Sequence, residues 1–233
     1  MNQEVVLVLF QVVVLVLAFS VHECAHAWVA WKLGDPTGKM LGRVTLNPLK
    51  HLDPLGSVFM PLLALVYHWP LIGWAKPTPV TARNFKNYKR DDILVTLAGP
   101  ASNLAMATVA LVLLIILKHV TAGGLAAVAT AVALASNIKG ISTANLPALF
   151  PVALFLYFVI LINLLLFIFN LIPIPPLDGS HILRHFLPYK AVQLYDRMGM
   201  IGLIVVFLIG GSFIFTIFFN PLLGTFNRLL FTL

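Results

Sequence analysis

The sequence predicts an all-α polytopic membrane protein, a bundle of about four to six membrane helices with a short membrane-associated β element. Three observations carry this expectation. Of 233 residues, 60% are apolar and only 10% charged, against about 45–50% and about 25% in soluble domains, so a water-soluble fold is excluded. Four apolar stretches reach the ~20 residues needed to cross hydrocarbon. Twelve of the fifteen Lys and Arg fall in three loops that share one face if those stretches cross, the bias of the positive-inside rule. The net charge of +7 is thereby explained by the bilayer, and no nucleic-acid partner is expected.

The elements follow in order. The first stretch, Val5 to Leu33, is preceded by no basic segment and leads into His and charged residues without a small-residue cleavage site. It is expected to be a retained helix rather than a signal peptide. The next apolar run, Leu55 to Trp74, is interrupted by Gly56, Pro61, Pro70 and Gly73 and could span or re-enter. A crossing there would put Lys76, Arg83, Lys86, Lys89 and Arg90 on the wrong side of their neighbours, which is disfavoured. On either side of it, Met40 to Leu46 and Leu71 to Val80 have β-compatible patterning with prolines at their ends. Ile93 to Leu117, Pro147 to Ile172 and Met200 to Phe219 are the remaining spans, while Ala122 to Ala135 is too weakly apolar to count as one. With no repeat or linker visible, residues 1–233 are expected to form one domain, with a core over 5–188 and a C-terminal helix and tail over 199–233. The expected setting is the cell membrane, with the N-terminus outside and the basic loops in the cytosol.

Ionisable side chains inside a membrane helix are costly, and they mark function or a specific pairing. The first helix carries three in one turn, His22, Glu23 and His26, spelling H-E-x-x-H. Positions i and i+4 share a helix face, so two imidazoles can converge on one zinc while Glu23 stands beside them as a general base for water. At 1.5 Å per residue, His26 and His22 lie about 9 and 15 Å along the helix from Lys32, below the cytosolic surface but short of mid-membrane. Cys24 projects off that face, and as the sole cysteine it can form no internal disulfide.

Two histidines leave a catalytic zinc one protein ligand short. The best candidate is Asp178 in the run Asn170 to Gly179, where Pro173, Pro175 and Pro176 stop the helix and leave backbone free to turn Asp178 back into the bundle. Its bland role is to cap a short helix over Ser180 to Leu187. His181 and His185 also stand at i, i+4, but Arg184 beside them suggests a wetted interfacial helix. His51, His68 and His119 fall in loops or at span ends, where solvated or snorkelling rings are expected. Asn170 either caps freed carbonyls near Pro173 or donates to an oxyanion near the metal. The run Ala98 to Ala105 puts small residues at helical spacing, suiting close helix packing, with Asn103 able to hydrogen-bond across the bundle.

Together these motifs resemble the site-2 protease family of intramembrane zinc metalloproteases in its minimal form, without PDZ or CBS domains. The match rests on H-E-C-A-H (His22 to His26), A-G-P-A-S-N (Ala98 to Asn103) and N-L-I-P-I-P-P-L-D-G (Asn170 to Gly179), in that order. The stretch from Leu33 to Gly56 and the later G-W-A-K-P also look like a small bacterial or archaeal branch of the family. The resemblance implies one Zn2+ per chain held by His22, His26 and Asp178, with Glu23 as general base and Asn170 polarising the scissile carbonyl. It further implies transmembrane protein substrates, cut within or near their spans and received by membrane-associated strands, and an active site toward the cytosolic side. Two other readings stay open at this point: a membrane zinc-binding or transport protein, and a catalytically silent relative.

Overall fold

Backbone that enters hydrocarbon finds no water to satisfy its N–H and C=O groups, so an apolar run closes its hydrogen bonds on itself as a helix. The computed structural model, which describes residues 3–60, 63, 67, 73–138, 146–205 and 210–233, follows that rule. Helix α1 covers Gln3–Lys32, and the single turn α2 covers Thr37–Met40. The long α3 runs over Tyr88–Val120, α4 over Gly124–Ala135 and α5 over Phe150–Leu171. The short α6 is Asp178–Arg184, α7 is Tyr189–Val205, and α8 is Gly211–Thr232. By length and composition α1, α3, α5 and α8 can cross a membrane, and α4, at 12 residues, cannot.

Helix α3 is the hub. It packs most extensively on α5, then on α1 and α4. Lipid offers no hydrophobic incentive for helices to associate, so contact must come from close packing and interhelical hydrogen bonds. Both are present. Ala107 and Ala110 of α3, Ala127 and Ala131 of α4 and Ala153 of α5 are all buried, letting backbones approach. Polar ties add to them: the Tyr157 hydroxyl donates to Asn227 Oδ1 at 3.0 Å, and Lys118 Nζ to the Leu230 carbonyl at 2.8 Å, fastening α8 to α5 and α3.

In its helices and strands the structure differs from the sequence reading in two places. The fourth span is displaced from Met200 to Phe219 onto α8: α7 is broken at Gly199, whose φ of +40° is left-handed, and 206–209 lie outside the described residues. Helix α8 then runs through Asn220-Pro221, where hydropathy alone would stop it, because a wide π-type turn at Phe215–Phe219 precedes the proline that lacks an N–H. The tail is thus helical to Thr232.

The second difference concerns the β element. No strand forms among the described residues, and the one antiparallel bridge joins Leu52 to Ala75. Residues 71 and 72 lie outside the described residues. Over 76–79 the donors are already spent or missing: Lys76 N–H goes to the His51 carbonyl at 2.8 Å, Thr78 N–H to Glu23 Oε2 at 2.7 Å, and Pro77 and Pro79 have none. Met40 closes α2, and the chain turns at once through Gly42.

Most of Leu55 to Trp74 lies outside the described residues, but its ends do not. Ser57 Oγ donates to the Trp74 carbonyl at 2.7 Å, and Trp74 N–H reaches the Gly56 carbonyl at 3.4 Å. Chain entering at 55 therefore comes back beside its point of entry by 74. Two buried charges knit the same face together. Arg43 donates to the Lys50 and Lys76 carbonyls, while Asp35 accepts from Thr81 N–H and Asn84 Nδ2 at 2.7 Å each.

Candidate active site

His22 and His26 occupy one face of α1 six to ten residues from its end, and α3 crosses that face at Gly99. A Cβ there would collide with His26 Nε2 and with His22 Cε1 and Nε2. Glycine is required because α3 backbone and imidazole rings share the space. The small-residue run of Ala98 to Ala105 thus serves the helix packing expected of it, and at Gly99 that packing is against the rings.

Each ring is held by its Nδ1. His26 Nδ1 donates to the Val95 carbonyl at 2.7 Å, and His22 Nδ1 to Asn103 Oδ1 at 2.6 Å. With Nδ1 as donor, Nε2 is the nitrogen left to ligate. The two Nε2 atoms lie 3.0 Å apart, and Asp178 Oδ2 stands 3.1 Å from one and 3.3 Å from the other. Asp178 reaches them because the chain turns sharply after α5 through Pro173 to Pro176 and starts α6 at that residue. Among the described residues no side chain caps α6, and Asp178 Oδ2 is buried without a hydrogen bond.

Three acceptor atoms facing one another repel unless a cation lies between them. Ligands 2.0–2.1 Å from a tetrahedral zinc stand about 3.3 Å apart, so the spacing and the His, His, carboxylate donor set both fit zinc.

Glu23, buried beside this cluster, is fixed from outside α1. Thr78 N–H donates to its Oε2 at 2.7 Å and Thr78 Oγ1 to its backbone carbonyl at 3.0 Å. Oε1 is left without a hydrogen bond among the described residues. Asn170 lies in the last turn of α5, half-buried, with Nδ2 donating to the Leu166 carbonyl at 3.0 Å. That bond uses one of its two N–H groups.

The other histidines separate from the cluster. His181 is exposed, and His185 Nε2 pairs with Asp92 Oδ2 at 2.7 Å. His119 bonds the Leu233 carbonyl from an exposed position. His51, contrary to expectation, is buried with Nε2 on the Thr45 carbonyl at 2.9 Å, because the turn after α2 folds over it. His68 lies outside the described residues. Sequence reasoning missed Thr78, whose role is mostly backbone and leaves no compositional trace. It also missed Asn163, although a lone amide in mid-helix among apolar residues is a signal.

The chain as a whole is similar to known proteins. Residues 10–210 match peptidase family M50. The chain is 40% identical over 179 residues to YwhC of Bacillus subtilis (strain 168), provisionally named a zinc metalloprotease, covering 77% of this chain and 69% of that one. It is 27% identical over 196 residues to Rip2 of Mycobacterium tuberculosis (strain ATCC 25618 / H37Rv), covering 82% and 64%. Rip2 of Mycolicibacterium smegmatis (strain ATCC 700084 / mc(2)155) is 34% identical over 95 residues, covering 41% and 36%; both carry the same provisional description. No solved structure matches.

Proposed function

The chain belongs to peptidase family M50, the site-2 proteases; it is a multi-pass membrane zinc metalloprotease, and from that premise we propose which residues do the work. His22, His26 and Asp178 hold the Zn2+, one per chain. The convergence of their ligand atoms within 3.0–3.3 Å carries this reading. When bound, zinc supplies Lewis acidity that lowers the pKa of water toward neutrality and polarises a carbonyl.

Glu23 is the general base. With Oε2 pinned by Thr78, Oε1 is presented to take a proton from the attacking water and later pass it to the leaving amine. Asn170 keeps one N–H on Leu166 and offers the second to the scissile carbonyl as negative charge grows there. Substrates are transmembrane proteins cut within or near their spans. A helical substrate must unwind first to expose its amide.

Residues 1–233 act as one domain in the cell membrane, N-terminus outside, with the active site toward the cytosol. Supporting this, Lys32 and Lys39 lie 4.7 and 3.6 Å over the Trp31 ring at the end of α1, as anchors do at a membrane interface. Reporter fusions are expected to place 34–53, 76–92 and 179–197 on one side and 118–146 on the other. The experiment that tests the function is co-expression of single-span proteins with wild type and Glu23→Gln. Cleavage products are expected from the wild type alone; equal cleavage by a zinc-loaded Glu23→Gln protein rejects the mechanism.

A further inference from the structure

Asn103 and Asn163 are wholly buried, at 0% exposure each, in helices otherwise built to face lipid and one another. An amide in that position costs free energy unless every polar atom is paired. These two are paired in one directed chain. Asn163 Nδ2 donates to the Val159 carbonyl at 2.9 Å, Asn103 Nδ2 donates to Asn163 Oδ1 at 2.8 Å, and Asn103 Oδ1 accepts from His22 Nδ1 at 2.6 Å.

The direction is set at the far end. Val159 contributes a backbone carbonyl, which can only accept, so Asn163 must turn its NH2 toward it and its oxygen toward α3. Asn103 then has to meet that oxygen with its own NH2, which leaves only its oxygen for His22. A ring facing an oxygen must carry its proton on Nδ1, and Nε2 is freed as a lone pair aimed at His26 Nε2 and Asp178 Oδ2. Reversing any one amide would place oxygen against oxygen or NH2 against NH2 somewhere in the chain.

We propose that Asn163 of α5, acting through Asn103 of α3, is a positioning residue that holds His22 of α1 in the Nδ1–H tautomer and so keeps it a metal ligand. Three spans are thereby tied to one ring, and the separation of α5 from α3 becomes something the metal centre senses. His26 has no such dependence, since its Nδ1 already faces a carbonyl, that of Val95. The inference rests on His22, His26 and Asp178 being the metal ligands.

The test is zinc affinity of the purified full chain in detergent, by competition against a chelator, read beside the melting temperature of the metal-free protein. Asn163→Leu removes the acceptor that orients Asn103 and is expected to weaken zinc about 10–100-fold, the usual cost of losing a ligand's supporting partner. Asn163→Asp is expected to stay within about threefold of wild type. A carboxyl buried there without a cation is neutral, so its O–H replaces the donor to Val159 and its C=O the acceptor for Asn103. Asn103→Leu should weaken zinc at least as much as Asn163→Leu, and the double variant no more than Asn103→Leu, because Asn163 acts only through Asn103.

Wild-type affinity in Asn163→Leu, no rescue by Asp, or additive losses in the double variant would each overturn the proposal. A measurement independent of any effect on folding is the 15N spectrum of histidine-labelled, metal-free wild type, with His22 assigned from His22→Gln. The Nδ1–H form is expected there, and an Nε2–H form overturns the relay. Wild type that binds no zinc would instead overturn the metal-ligand reading beneath it.

Discussion

The chain contains two H-x-x-x-H pairs, His22/His26 on α1 and His181/His185 on α6 and its C-cap, and they meet opposite fates. On α1 both Nδ1 atoms are engaged by α3, and both Nε2 atoms face Asp178. On α6 His181 is exposed, while His185 at its C-cap turns its Nε2 to Asp92 and packs edge-on against Tyr88 at 5.2 Å between centroids. Spacing of four residues puts two rings on one face in both cases. What differs is the neighbour: a second helix close enough to orient each ring, and a carboxylate brought in from a third element.

The sharpest break in that comparison is Asp178→Ala, His22→Ala or His26→Ala against His181→Ala. Each of the first three is expected to lose zinc by metal analysis and all cleavage with it, while His181→Ala keeps both. Full zinc in Asp178→Ala would move the third ligand elsewhere. Glu23→Gln is expected to keep zinc and show no measurable cleavage. Asn170→Ala should fold, bind zinc and retain a rate reduced about 10²–10³-fold, the ordinary cost of one oxyanion donor.

A smaller effect sharpens the role of the neighbour. Gly99→Ala puts a methyl group into the space of both rings and is expected to weaken zinc about 10–100-fold with α3 still helical by circular dichroism. The contrasting change at the end of α6, His185→Ala, should cost about 1–3 kcal/mol of stability through the unpaired Asp92 while zinc stays bound. A melting curve with and without chelator separates the two.

The smallest effect lies at the loop that covers this face. Burial would raise the Asp35 carboxyl, but hydrogen bonds from Thr37, Thr81 and Asn84 outweigh it and lower it below its ordinary range. A carboxyl lowered on folding contributes stability above its unfolded pKa and loses it as pH falls through the folded value. Acid unfolding should therefore be shallower in Asp35→Asn than in wild type at the low-pH end, with the two curves parallel near neutrality.

Much of the architecture and of the candidate site could be read without coordinates. Span-length apolar runs must become helices in lipid, and three of the four fell where hydropathy placed them, α1, α3 and α5. His22, Glu23 and His26 are legible because their chemistry depends on one local period. Asp178 was reachable because prolines dictate where α5 must end. The displaced fourth span and the lack of strands among the described residues were not legible, since a π-type turn before Pro221 and the capture of Thr78 N–H by Glu23 depend on what packs alongside.

The sequence by itself determined a helical membrane bundle, and it named the face of α1 that bears the two proposed histidine ligands and the candidate for a third. Tertiary structure alone decided which histidine pair converges on a carboxylate, which ring nitrogen faces it, and which groups orient the rings. The reason is physical: helical periodicity is a property of one segment, whereas a tautomer, a collision at Gly99 or a carbonyl that can only accept exists where α1, α3 and α5 meet.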